Sequence, residues 1–176
     1  MKLLQPAIRV ANAAGLRKLT SSAMTLLVLL GGCASYSGYG LKPGVATGPD
    51  VRQAMGEPAA RWSTPAGDVW AYPRGPLGSE TFLVRFDENG RLSLIEQVLN
   101  DDHFGRIHAG MTGEDVLHLI GPPFQTTTYS GTRQTSWDYH YRDDSAQSAL
   151  FSVIFSDAGV VVGTLKQRLS GNGHNQ

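Results

Sequence analysis

The chain has 176 residues, of which 41% are hydrophobic and 17% charged, the balance of an ordinary folded domain or two small ones. Its formal charge is zero, yet four of the fifteen basic residues (Lys2, Arg9, Arg17, Lys18) precede residue 33, where there is no acidic residue; eleven basic against fifteen acidic residues remain beyond it, a net charge of −4. A mildly acidic body excludes the basic face through which nucleic-acid binders release counterions, so no nucleic-acid partner is expected.

Taken in order, the chain begins with a basic region through Lys18 and an apolar run, Ala23 to Leu30. The run is shorter than the ~20 residues that span a bilayer, and fits the core of a secretory signal over residues 1–32. Leu30-Gly31-Gly32-Cys33 resembles the bacterial lipobox, and Cys33 is the only cysteine. The resemblance implies cleavage before Cys33, a diacylglycerol on its thiol and an acyl group on its new amino terminus. Each buried acyl CH₂ contributes about 0.8 kcal/mol, so several chains anchor firmly where one does not. Ala34-Ser35 follow instead of the aspartate that marks inner-membrane retention, which implies the outer membrane. Residues 33–43, rich in glycine and small polar residues, read as a flexible tether in which Tyr36 and Tyr39 are exposed.

The body reads as a tandem repeat. Thr47-Gly48-Pro49-Asp50-Val51 through Gly56 and Pro58 recurs 65 positions later as Thr112-Gly113-Glu114-Asp115-Val116 through Gly121 and Pro123. Each is a short helix with both ends specified: Thr47 and Thr112 as N-caps, Asp50 and Asp115 closing capping boxes, Gly56 and Gly121 as stops. In the second copy Met111 and Val116 form a hydrophobic staple, and Val116, Leu119 and Ile120 make one apolar face. Strands follow over Arg61–Thr64, Val69–Tyr72 (ended by Pro73), Glu80–Phe86 and Arg91–Leu99, with Phe82, Val84 and Phe86 on one face and an Asn89-Gly90 hairpin. The second copy repeats them over Gln125–Tyr129, Gln134–Arg142, Leu150–Phe155 and Val160–Leu169. Trp70 and Tyr72 correspond to Trp137 and Tyr139 at an offset of 67, and Phe82 and Phe86 to Phe151 and Phe155 at 69. Residues 100–107 add a short helix to the second copy only. The expected architecture is α+β: two repeats, 44–99 and 100–169, each with one or two short helices on a three- to four-stranded antiparallel meander, and a disordered tail over 170–176.

This order of motifs resembles the SmpA/OmlA (BamE-like) family of outer-membrane lipoproteins. The residues that carry the resemblance are Gly110-Met111-Thr112, Asp115-Val116, Gly121 with Pro123, Trp137-Asp138-Tyr139, Phe151 to Phe155 with Gly159, and their first-copy counterparts. It implies helices on one face of a small sheet, a lipid-anchored protein on the periplasmic side of the outer membrane, and a structural role through contacts with an envelope protein, the β-barrel assembly machinery being the implied partner. That family carries one such repeat and this chain two. The duplication also resembles the β-lactamase-inhibitor proteins, which implies an alternative, a tethered inhibitor or peptide-binding module using an open sheet face.

Residues for chemistry are sparse. His103 and His108 lie near Asp101 and Asp102, but at no recognised metal spacing, and the acidic pair suits a helix start; no metal or other cofactor is expected. His118, four after Glu114, suits a helix-surface contact, and His140 reads as solvated. There is no nucleophile elbow, no phosphate loop and no nucleophile paired with a base, so the expectation is a non-enzyme. Trp70 and Trp137 read as core residues, because each copy must fill the same space. Tyr72, Tyr139 and Tyr141 are the candidates for binding anchors, Tyr141 foremost because Arg74 stands at its first-copy position.

Overall fold

A computed structural model describes residues 36–169; the expected signal segment, Cys33 and the expected disordered tail lie outside the described residues. The first half consists of α1 (Gly48–Met55) and strands β1 (Ala60–Thr64), β2 (Gly67–Arg74), β3 (Glu80–Phe86) and β4 (Leu92–Gln97). The second adds α2 (Asp101–Phe104) before α3 (Gly113–Ile120), then β5 (Gln125–Tyr129), β6 (Gln134–Arg142), β7 (Ser148–Phe155) and β8 (Val161–Arg168). Each half forms its own four-stranded antiparallel meander, sheet A from β1 to β4 and sheet B from β5 to β8. The fold class is α+β.

The helix signals operate as written. Thr47 donates its backbone N–H and its hydroxyl to Asp50 Oδ2 at 2.8 and 2.6 Å, and Thr112 does the same to Asp115 at 2.8 and 2.7 Å. Asp115 returns a bond from its own N–H to the Thr112 hydroxyl at 3.1 Å. In both halves the N-cap residue also bridges to the approach of the last strand, Thr47 to Arg91 and Thr112 to Val160, which ties the start of the helix to the sheet edge. Asn100 caps α2 by accepting from the His103 N–H at 3.1 Å.

Strand β2 runs through Pro73 instead of ending before it. The Ala71 carbonyl points toward β1, accepting from Ala59 N–H, so the nitrogen of Pro73, two residues on, points the same way. Pairing with β1 has ended at Ala60 opposite Ala71, and the missing N–H costs no ladder bond.

The layers follow from the alternation. One face of sheet A (Trp70, Tyr72, Val84, Phe86) packs on Val51 and Met55 of α1 in one core cluster. Its opposite face (Val69, Ala71, Leu83) belongs to a second cluster with Val116 and Ile120 of α3, Phe104 of α2, and Tyr139, Phe151, Val153 and Phe155 of sheet B. The helical layer of the second half is therefore shared by both sheets. The far face of sheet A is buried, Thr81 at 1% and Leu83 at 0% exposure. A polar seam closes this junction: Arg85 Nη2 donates to the His118 carbonyl at 3.1 Å and Nε to Glu96 at 3.0 Å, Glu96 lies 3.5 Å from His103, and Trp62 stacks on His118 at 5.6 Å.

The tether expectation needs correction from Tyr36 onward. Residues 36–43 lie against the first half: Tyr36 meets Phe82 edge-on at 6.0 Å and hydrogen-bonds Glu80, Leu41 packs on the α1 cluster, and Gly44 N–H donates to Leu92 at 2.8 Å. These apolar contacts outweigh the flexible composition. Tyr39 remains exposed.

Candidate binding surface

The three tyrosines singled out as binding anchors are core residues, with exposures of 0% for Tyr72, 1% for Tyr139 and 5% for Tyr141. This corrects the surface reading. Tyr72 and Tyr139 lie on the helix-facing sides of β2 and β6 and donate their hydroxyls to the Gly56 and Gly121 carbonyls, each at 3.1 Å. Each thereby satisfies a carbonyl just past a helix end, where the helix itself offers no partner. Burial pushes the Tyr72 hydroxyl up to about 12 and that of Tyr139 further up, so both stay protonated donors. Tyr141 packs edge-on to Phe104 of α2 at 4.9 Å. Its first-half counterpart Arg74 instead donates to the Met55 carbonyl at 2.6 Å. The extra helix explains the aromatic: α2 covers Tyr141, and the first half has no such helix.

Trp70 is buried against Phe86 (4.6 Å between rings), and Trp137, half-buried, against Phe155 at 4.8 Å. The histidines are drawn apart. His103 is held by Asn100 at 2.9 Å and by Glu96, Asp101 pairs with Lys166 at 2.8 Å, and His108 is exposed beside the Ala109 carbonyl. His118 lies 3.9 Å from Glu114, the contact expected at that spacing. His140 is half-buried edge-on to Phe124 at 4.8 Å, not solvated.

The presented surface is the far face of sheet B, which carries the alternate residues of each strand. Its centre is polar and closed in by its neighbours: the hydroxyls of buried Ser136 and Ser152 both donate to Asp138 Oδ1, at 2.7 and 2.6 Å, and only the half-buried carboxylate of Asp138 reaches the surface. Around this hub stand half-buried Leu150 and Ile154, and exposed Leu165 (58%) and Tyr129 (52%). The strand registers pair Ser152 with Leu165 and Ser136 with Ile154 and Thr127, which fixes these neighbours across the face.

The contrast with sheet A is informative. Trp62, Val69, Ala71 and Leu83 meet α3 on the far face of sheet A. Thr127, Ser136, Asp138 and Ser152 occupy the matching register positions on sheet B. The residues that would seat another helix are replaced by hydroxyls and a carboxylate. Sequence reasoning missed this face because it ranked aromatics, whereas the signal lay in the small polar residues between them.

No known family pattern matches the chain, and no curated protein matches it. Among solved structures, the osmotically inducible lipoprotein OsmE is similar over 39% of this chain and 78% of its own, at 25% identity and a TM-score of 0.35. A DUF4309 family protein (YjgB) from Bacillus subtilis is similar over 74% of this chain and 84% of its own, at 19% identity and a TM-score of 0.29. A protein from Streptococcus mutans described as a β-lactamase inhibitor is similar over 69% and 82%, at 12% identity and a TM-score of 0.29.

Proposed function

We propose that this chain is a non-enzymatic lipoprotein of the SmpA/OmlA (BamE-like) kind, anchored through acylated Cys33 to the periplasmic side of the outer membrane and acting through contact with an envelope protein. The anchor rests on the Leu30-to-Cys33 motif after a signal-like apolar run. The binding role rests on one observation above all: sheet A has helices on both faces, while the matching face of sheet B carries none of α1 to α3, is met by the Pro76–Gly78 turn only at its end by His140 and Arg142, and has an apolar fringe around a hydrogen-bonded carboxylate. A partner at such a face gains apolar area from the fringe and polar orientation from the hub. The β-barrel assembly machinery is the partner the family resemblance points to.

The test has two parts. Growth with an alkyne fatty acid should label the wild type and not Cys33→Ala, and the label should fractionate with the outer membrane. Crosslinking in intact cells, affinity purification and mass spectrometry should then recover a defined envelope protein. Recovery of barrel-assembly subunits supports the family role. A stoichiometric complex with a soluble enzyme would replace it with a tethered inhibitor, and absence of the label would remove the anchor.

A further inference from the structure

The two halves contain the same cavity, filled differently. In each it lies where the hairpin ends of the sheet meet the start of the helix. Gly48, Arg52, Asp68, Trp70, Phe86 and Gly90 are among the residues that line it in the first half, and Gly113, Arg133, Thr135, Trp137, Phe155 and Asp157 in the second. The volumes are 360 and 580 Å³.

In the first half one arginine, Arg52, lines the cavity, and a second caps the same indole. The guanidinium groups of Arg52 and Arg61 lie over the Trp70 ring, 5.4 and 5.0 Å from its centroid, and Glu57 pairs with both. A cation over an indole face is held by the ring quadrupole, and Trp is the best such face. In the second half all three groups are gone. Leu117 and Pro122 stand 65 positions after Arg52 and Glu57, and Thr126, opposite Trp137, takes the place that Arg61 holds opposite Trp70. Trp137 is left half-buried over the larger cavity.

We propose that this cavity is a socket for an arginine side chain of the protein partner, which supplies in trans the guanidinium that the first half supplies in cis. Charge does not oppose a cation: of the lining residues Asp157 and Arg133 offset one another through an exposed pairing at 3.7 Å, and Glu114 and Asp115, next to Gly113 in the first turn of α3, add negative charge beside the cavity. The positive end of α3 does not forbid a cation, since the Asp115 carboxylate stands there, and Arg52, from the last turn of α1 itself, lines the matching cavity of the first half. The socket opens on the helix-facing side of sheet B, opposite the open face; that its ligand is a protein partner rests on the protein-contact reading above.

The test is a titration of the full chain, solubilised in detergent and labelled with 5-fluorotryptophan, with N-acetyl-arginine methylamide. Fluorine NMR gives one resonance each for Trp62, Trp70 and Trp137, assigned with Trp→Phe variants. The Trp137 resonance should shift saturably while that of Trp70, already covered, stays. The uncharged citrulline analogue should bind roughly two- to five-fold more weakly, the ratio expected of an exposed cation–π contact. Thr126→Arg, at an exposed edge position, should cap Trp137 from within and abolish the shift, while Thr126→Gln should retain it; unchanged Trp62 and Trp70 resonances report the fold, and Leu117→Arg is the second capping variant. No shift at Trp137, equal shifts at Trp70, or equal binding of the citrulline analogue would overturn the socket. Failure here leaves the lipoprotein reading standing, because fatty-acid labelling and purification decide that separately.

Discussion

Replacing Gly121 by alanine measures how firmly α3 seats on sheet A, provided that Gly56 is replaced as well. Both glycines end a helix with a backbone that disfavours side chains, φ 76°, ψ −170° at Gly121 and φ 81°, ψ −167° at Gly56. That strain, about 1–3 kcal/mol for a residue with a Cβ, is common to both substitutions. Their surroundings differ. A Cβ on Gly56 meets nothing within 4 Å, whereas on Gly121 it lies 3.0 Å from Thr81 Cγ2, 3.5 Å from Leu83 Cδ2 and 3.9 Å from Ala71 Cβ. These three side chains belong to the buried far face of sheet A and have little room to give. Overpacking by one methyl adds about 1 kcal/mol, the low end of the usual range. Gly121→Ala should therefore unfold at a lower urea concentration than Gly56→Ala, by about 0.3–1 M for ordinary urea slopes. Tryptophan fluorescence during urea titration reads the difference. Equal midpoints would refute the shared helical layer.

Three further outcomes are expected. Tyr139→Phe should cost about 1–2 kcal/mol in the same assay, because it leaves the buried Gly121 carbonyl without its donor; no loss would mean that another group satisfies that carbonyl. Asp50 and Asp115 are held below the ordinary carboxyl value of 3.8 by the hydroxyl and then the backbone N–H of their threonine caps. Their contribution is fully present above that value and is lost as pH falls through the lower folded-state values, so Asp50→Asn with Asp115→Asn should flatten the fall in stability below pH 3.8. An unchanged acid limb would place that dependence elsewhere. Cys33→Ala should move the protein from the membrane to the soluble fraction, and retention in the membrane would assign the anchor to another segment.

The local grammar was open to reading. Thr47 with Asp50 and Thr112 with Asp115 announce the helix starts, and β3 and β5 keep the bounds that their patterns set. The layering was not. Period-two alternation marks Phe82, Val84 and Phe86 as one buried face and is silent on whether Thr81 and Leu83 are covered, because the cover, α3, comes from the other half. Tyr141 misled for the same reason: without α2 on top of it, an unmatched aromatic looks like an exposed one. Residues 36–43 show a limit of composition, since a few side chains such as Tyr36 and Leu41 can order a glycine-rich stretch. The socket was within reach of the sequence, in the exchange of Arg52, Glu57 and Arg61 for Leu117, Pro122 and Thr126. It became meaningful only once both arginines were seen over Trp70.

The central claim is that sheet B, and not α1, meets the partner. Photo-crosslinking in living cells tests it most directly, with the photoreactive residue at Leu165 on the open face or at Gln53 on the exposed side of α1. The account predicts a discrete adduct with an envelope protein from position 165, lost in Cys33→Ala, and none from position 53. An adduct from position 53 alone would contradict it and move the interface to the opposite end of the layers.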